Sequence, residues 1–91
     1  MSNIIDEIGK LPKYEEGKHF EYTAYRDYLQ KLSYSQIDSD DKKYISEITS
    51  NIMMDMTNQM EDAGNPDVRR TFAYSMIEDM KDIRKTLGID L

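Results

Sequence analysis

Two apolar stripes separated by a very short break constrain this chain more than any other feature of its sequence. Apolar residues recur at helical spacing between residues 39 and 62, and again between residues 66 and 87. The stripes comprise Ile45, Ile48, Ile52, Met53, Met56 and Met60, then Phe72, Met76, Ile77, Met80, Ile83 and Leu87. Gly64 stops the first helix, and Asn65-Pro66 opens the next. A connection of about three residues between helices of about 22 residues predicts an antiparallel hairpin.

Both outer ends of this hairpin carry boundary signals. Ser39 is the predicted N-cap of the third helix, and Asp40 and Asp41 place negative charge in its first turn. Gly88 is predicted to end the fourth helix in the left-handed conformation. Basic residues near that end suit its negative pole: Lys81, Arg84 and Lys85.

The first 33 residues predict two shorter helices. The first covers residues 3–8, with Gly9 as its left-handed end and Pro12 preventing continuation; its shared face is Ile4, Ile5 and Ile8. The second covers residues 15–31, with a stripe of Tyr22, Tyr25, Leu29 and Leu32.

These elements predict an all-α fold in a single domain, residues 1–91. Residues 1–33 supply the N-terminal helices, and residues 39–87 supply the hairpin. Two helices cannot bury every side of methionine-rich stripes, so the second helix or another subunit must cover the remainder. We therefore expect a homo-oligomer.

Composition excludes several classes of function. The chain has no cysteine, 18 acidic residues against 12 basic ones and a net charge of −6, so a coat for duplex DNA is not expected. No apolar run is long enough to span a membrane, and the start lacks the pattern of a signal peptide. The expected location is the cytoplasm of a bacterium or of an infected host cell.

The sequence shows no pattern typical of catalysis or of metal binding. The single histidine, His19, has no evident catalytic partners, and no phosphate-binding glycine loop occurs. The segment Asp38–Asp41 lacks the later glycine and glutamate of a calcium loop. We expect no enzymatic activity, no metal and no cofactor.

Arg69 and Arg70 are unusual because they place positive charge in the opening turn of the fourth helix. Each such charge opposes the helix dipole at a cost of roughly 0.3–1 kcal/mol. Two guanidinium groups beside free backbone N–H groups make an anion site. Alternatively, nearby acidic residues neutralise them; the candidates are Glu61, Asp62 and Asp67.

Tyrosine usage is the second unusual feature, with seven Tyr against two Phe and no Trp. Tyr22, Tyr25 and Tyr28 are explained by the half-buried stripe of the second helix. Tyr34 lies just before the third helix and off any stripe, where a ring can stack on a base or contact a neighbouring subunit.

The segment from residue 34 to 87, about three-fifths of the chain, resembles the helical-hairpin sponge proteins with which phages sequester cyclic oligonucleotides, the anti-CBASS family. Tyr34–Ile37 precedes Ser39, Tyr44–Ile48 follows inside the helix, and Asp67–Arg69 opens the last helix. Small or hydroxyl residues follow there, Ala73 and Ser75.

That resemblance implies an oligomer that binds cyclic di- or trinucleotides between subunits without cleaving them, and so lowers the concentration of an immune signal. The family's ligand-binding lysine falls near Thr49, so Lys42 or Lys43 would have to supply the charge. The candidate ligand-binding residues are Tyr34, Lys42, Lys43, Arg69, Arg70 and Ser75.

A second hypothesis is a small acidic inhibitor or immunity protein that acts by direct contact with another protein. Its support is the tyrosine-rich surface, since aromatic residues are common anchors of interfaces.

Overall fold

A computed structural model describes residues 4–11, 22–62 and 68–90. Across these ranges the chain is helical and contains no strand, which confirms the predicted fold class. The elements are α1 (Ile4–Gly9), α2 (Tyr22–Gln30), a 3₁₀ turn (Tyr34–Gln36), α3 (Ser39–Asp62) and α4 (Val68–Thr86). Several predicted features lie outside the described residues: Pro12, the start of the second helix at residue 15, His19, Gly64, and Asn65-Pro66.

α3 and α4 form the predicted antiparallel hairpin. At one end, the guanidinium of Arg84 near the end of α4 donates to the backbone oxygen of Ser46, early in α3, at 2.9 Å. At the other end, Arg70 in the first turn of α4 donates to the backbone oxygen of Met60 at 2.8 Å. The two helices therefore run side by side in opposite directions over nearly their whole length.

The buried core lies along this hairpin and beneath the two shorter helices. α1 packs on α3, and α2 packs on α4. Buried apolar side chains come from all four helices and the turn after α4: Ile4, Ile8, Leu29, Ile45, Ile52, Met56, Ala73, Met76, Met80, Ile83 and Leu87. The second helix thus covers part of the apolar surface that two helices alone would leave exposed.

Two polar contacts tie α2 to the hairpin. The Tyr22 hydroxyl donates to the Asp55 carboxylate at 2.8 Å, and Arg26 forms an ion pair with Asp79 at 3.6 Å. α2 is consequently anchored to both long helices as well as to the core. The described part of the chain contains no helix with the length and apolar character that crossing a bilayer requires.

The N-cap of α3 is Asp38, and the sequence prediction of Ser39 is wrong by one residue. The Asp38 carboxylate accepts a hydrogen bond from the Asp41 backbone at 2.8 Å, and the Asp41 carboxylate accepts one from the Asp38 backbone at 3.1 Å. This reciprocal arrangement satisfies two backbone donors at once, which a Ser39 cap with Lys42 three residues later could not do. It also explains why Asp41 is buried.

The prediction for the end of α1 needs two corrections. Gly9 belongs to the helix and does not take the left-handed conformation, and Gly88 is the glycine with positive φ among the described residues. Ile5 is exposed, whereas Ile4 and Ile8, one helical turn apart, are buried, so the predicted shared face of α1 contains two of the three isoleucines.

α4 ends as the sequence predicts, in a Schellman motif centred on Gly88. Gly88 has φ of 74°, its N–H bonds to the oxygen of Lys85, and the N–H of Ile89 bonds to the oxygen of Arg84 at 2.8 Å. Ile89 then packs against the core. This turn also holds the residue that follows, Asp90, beside α4.

We predict that Gly88→Ala lowers the free energy of unfolding by about 1–3 kcal/mol, the cost of forcing a residue with a side chain into this region. The new Cβ would also lie 2.6 Å from Cε2 of Tyr34. Urea unfolding measures the loss. Gly9→Ala is the matched control: it has open space around it, so stability should stay equal or rise by up to about 1 kcal/mol. Equal effects of the two substitutions would contradict this account of Gly88.

Candidate functional site

The hairpin separates the predicted site residues into two groups. Tyr34 and Lys42 lie at the end where α3 begins, and Arg69 and Arg70 lie where α4 begins. The 18 residues from Lys42 to Met60, which Arg70 contacts, span about 27 Å of helix. Within one chain, no cyclic dinucleotide is large enough to touch both groups.

Arg70 has a structural partner that the sequence did not reveal. Its guanidinium donates to the backbone oxygen of Met60 in the last turn of α3, where carbonyl groups lack helical partners. A positive charge that opposes the dipole of α4 therefore complements the negative end of α3. Arg69 is exposed and also takes part in an interaction. The start of α4 therefore does not present two unpaired cations.

Ser75 occupies the middle of α4 on an exposed position. It lies nine residues before Arg84, about 13.5 Å along the helix axis. Ser75 therefore belongs with neither end of the hairpin.

Tyr34 and Lys42 contact each other directly. The Lys42 ammonium lies 4.5 Å from the centroid of the Tyr34 ring, a cation–π geometry. The Tyr34 side chain nevertheless stays 59% exposed, and part of its ring edge rests over Gly88. The 3₁₀ turn that carries Tyr34 is fixed by Gln36, whose side-chain oxygen accepts from the Ser33 backbone at 2.7 Å. The ring is thus an exposed platform with a cation beside it.

Lys43, the other lysine considered from the sequence, is exposed and does not share this position. It lies about 100° further around α3 than Lys42. The structure thus favours Lys42 over Lys43 as the lysine of a site that includes Tyr34.

Arg84 is the principal polar residue of this end, and the sequence analysis treated it only as a charge near a helix terminus. Its side chain is 12% exposed. One terminal nitrogen, Nη1, donates to three oxygen atoms on α3: the Ser46 backbone at 2.9 Å, Thr49 Oγ1 at 2.9 Å and Ser50 Oγ at 3.0 Å. These contacts fix the guanidinium against α3 in one orientation.

Thr49 acquires a clear role from this contact. It is fully buried, and its hydroxyl donates to the Ile45 backbone at 2.8 Å while it accepts from Arg84. Arg84 thus brings a positive charge from α4 to the position of Thr49 on α3.

The remaining edge of the Arg84 guanidinium is taken by Asp90. Nε of Arg84 donates to one carboxylate oxygen at 2.6 Å, and Nη2 donates to the other at 3.0 Å. These hydrogen bonds, with the charges of Arg84 and Lys85, hold the pKa of the Asp90 carboxyl below its ordinary value of 3.8. Asp90 itself is exposed to solvent.

We call Tyr34, Lys42, Ser50, Arg84 and Asp90 the basal site. On α3, Lys42 lies about one helical turn before Ser46, whose backbone oxygen accepts from Arg84. The basal site therefore places an exposed aromatic ring and two cations at the same end of the hairpin. Guanidinium and ammonium groups are typical ligands of phosphate, and exposed aromatic rings are typical stacking surfaces for bases.

Sequence reasoning could have found Arg84 from one signal. Thr49 interrupts the apolar stripe of α3 between Ile45 and Ile52, and Ser46 and Ser50 flank it on the same side. A polar group inside an apolar stripe needs a hydrogen-bond partner when buried. The antiparallel register then places the last turns of α4 opposite it.

A second concave surface lies between α1, α2 and α3. It is a cleft of about 220 Å³ with three tyrosines among its lining residues: Tyr22, Tyr25 and Tyr44. Burial, and to a smaller extent Tyr44, raise the pKa of the Tyr25 hydroxyl. Tyr25 therefore stays neutral at ordinary pH, as suits an apolar contact surface with hydrogen-bonding tips.

Among the described residues, no three acidic, histidine or cysteine side chains are grouped so as to hold a metal ion. Comparison of the chain with protein-family models, with curated proteins and with solved structures finds no match.

We predict a pH-dependent contribution of Asp90 to stability. Because its pKa is lower in the folded chain than in the unfolded chain, the ion pair stabilises the fold above the ordinary aspartate pKa. That contribution disappears as the pH falls through the folded-state pKa. The difference in unfolding free energy between wild type and Asp90→Asn should thus shrink to zero on acidification, measured by urea unfolding from pH 7 downward. Asp82→Asn, an exposed carboxylate on α4, is the charge-matched control, and an equal pH effect there would contradict the assignment.

Proposed function

We propose that this protein is a non-enzymatic phage counter-defence protein that sequesters cyclic di- or trinucleotides. The observation that carries the proposal is the basal site: an exposed Tyr34 ring with the Lys42 ammonium 4.5 Å from its centroid, and Arg84 of α4 bonded to Ser46, about one turn after Lys42 on α3. The resemblance of residues 34–87 to phage sponge proteins supports the same ligand class. Such a protein acts in the cytoplasm of the infected cell, where the signal is made.

Different residues of the basal site contact different parts of the ligand. A base stacks on Tyr34, a contact worth about 1–3 kcal/mol per base in other proteins. Lys42 provides a mobile point charge for a phosphate, and Arg84 provides a fixed planar fork. Binding of this kind needs no nucleophile or general base, so the ligand is held and not cleaved.

The two cationic ends of the hairpin are too far apart to share a ligand within one chain, which favours a binding site between subunits. Arg69, Arg70 and Ser75 cannot reach a ligand at the basal site of their own chain, but a second antiparallel copy would bring them near it. Several apolar side chains of the hairpin stay partly buried or exposed and are available for self-association: Met53, Met54, Met60, Tyr74 and Ile77.

A second candidate function is inhibition of another protein by direct contact. It is favoured by the tyrosine cleft between α1, α2 and α3 and by the exposed side chains of Met54 and Tyr74. Aromatic and methionine side chains are enriched in the centres of interfaces. In this case substitutions in the cleft, and not in the basal site, would weaken binding of the other protein.

We predict that at least one cyclic oligonucleotide binds and that Tyr34→Ala weakens it about 5- to 150-fold, the equivalent of one lost base stack. The panel is cyclic di-AMP, cyclic di-GMP, cyclic GMP–AMP and cyclic tri-AMP, measured by calorimetry. Tyr34→Phe keeps the ring and should bind normally. Lys42→Ala should also weaken binding, while Lys43→Ala, the adjacent lysine, should not. Absence of binding by the whole panel would reject the proposal in favour of the protein-contact alternative.

We also predict self-association at micromolar concentration. The apolar side chains that α1 and α2 leave partly exposed on the hairpin should pair between copies, because each Å² of apolar surface removed from water contributes about 25 cal/mol. Sedimentation analysis should give a mass of at least twice the 10.7 kDa of one chain. Met54→Lys should reduce association, whereas Thr23→Lys on α2 should leave it unchanged. A monomeric mass for the wild type would contradict a site formed between subunits.

A further inference from the structure

One edge of the Arg84 guanidinium is occupied by a carboxylate of the same chain. Asp90 accepts two parallel hydrogen bonds, from Nε at 2.6 Å and from Nη2 at 3.0 Å. A phosphate or phosphodiester accepts hydrogen bonds from the same two positions of an arginine. The Asp90 carboxylate therefore stands where an external oxyanion would bind.

We propose that Asp90 is a built-in competitor for a phosphate-binding site on Arg84, and that displacement of its side chain admits a phosphate group of the ligand. The inference rests on the proposed function for the identity of the full ligand. The oxyanion site itself depends only on the geometry of Arg84.

The Arg84 guanidinium would keep its orientation after the Asp90 side chain moves away. Nη1 of Arg84 is held by three oxygen atoms on α3, and none of these contacts involves Asp90. The arginine side chain is also largely buried, which limits its rotation. An incoming phosphate therefore meets a guanidinium that is already oriented, so little side-chain entropy is lost on binding.

The Asp90 side chain can move away without unfolding the end of α4. The Schellman bonds of Gly88 and Ile89 to the last turn use backbone atoms, and Ile89 remains packed on the core. Asp90 is exposed, so its carboxylate can be solvated once it is displaced. Displacement of the side chain thus breaks the ion pair between Asp90 and Arg84 and leaves these backbone contacts in place.

The surroundings suit an oxyanion better than a carboxylate alone. The Ser50 hydroxyl contacts the same guanidinium at 3.0 Å and is exposed at its rim. Lys42, about two turns before Ser50 on α3, adds a second cation at the same end of the hairpin. A phosphate with three or four oxygen atoms can engage more of these groups than a carboxylate with two.

The test compares phosphate binding by the full-length wild type, Asp90→Asn and Asp90→Ala. Inorganic phosphate is the probe, and the readout is the backbone amide resonance of Ser50 in ¹H–¹⁵N spectra, because the Ser50 side chain contacts the guanidinium and every variant retains this amide. Asp82→Asn makes the same change in net charge on an exposed position of α4 and is the control. Arg84→Lys in the Asp90→Asn background keeps the cation but removes the fork. Two substitutions at Asp90 are used so that poor folding of one does not prevent the comparison.

If Asp90 occupies the fork about 90% of the time, the apparent dissociation constant should fall about tenfold in both Asp90 variants. Asp82→Asn should bind phosphate as the wild type does, and Arg84→Lys should abolish the gain. The proposal is overturned if Asp90→Asn and wild type bind phosphate equally, if neither shows saturable binding, or if Asp82→Asn gains as much as the Asp90 variants.

The cyclic-nucleotide panel separates this inference from the proposed function. If phosphate binds tighter to Asp90→Asn while no cyclic nucleotide binds any variant, the oxyanion site stands and the proposed function fails. If a cyclic nucleotide binds wild type and Asp90→Asn with equal affinity and phosphate shows no gain, the competitor role of Asp90 fails and sequestration stands.

Discussion

The apolar seam between α3 and α4 is the interaction on which the other contacts depend. Its buried residues are mostly isoleucine and methionine, and each such side chain contributes about 1.5–3 kcal/mol when fully removed from water. The exposed ion pairs of the molecule, such as Glu7–Lys10, contribute about 0–1 kcal/mol each. The seam therefore fixes the antiparallel register, and the register decides which polar residues meet at each end.

The two ends of the hairpin use arginine in similar ways. Arg70 donates to a backbone oxygen in the last turn of α3. Arg84 donates to a backbone oxygen and to a hydroxyl group nearer the start of α3. Each arginine therefore links its own helix to the neighbouring one. An exposed ring lies near each arginine, Tyr34 at the Arg84 end and Tyr74 one turn after Arg70. At the Arg84 end the ring also has the Lys42 ammonium against it and a carboxylate shares the guanidinium, so the basal site is the better candidate for binding.

Local signals in the sequence predicted the helices well and their caps less well. The hairpin, the stripe of α2 and the Schellman turn at Gly88 were predicted, because apolar spacing and a glycine after a helix depend on nearby residues only. The N-cap of α3 was placed one residue late, since Asp38 and Ser39 are both good caps and the reciprocal bond with Asp41 decides between them. Gly9 was predicted to be left-handed and is helical, because helix ends and glycine conformations are weakly specified over six residues.

The fold class follows from the amino-acid pattern alone, through two apolar periods separated by a short break. The same pattern places Tyr34 off the apolar stripes, before a long helix with lysines in its first turn. The folded chain adds that Lys42 and not Lys43 meets the ring, that Arg84 reaches Thr49, and that Asp90 fills the guanidinium fork. These contacts join residues up to 35 positions apart, and their geometry depends on helix register and side-chain direction, which the spacing of residues within one helix does not specify.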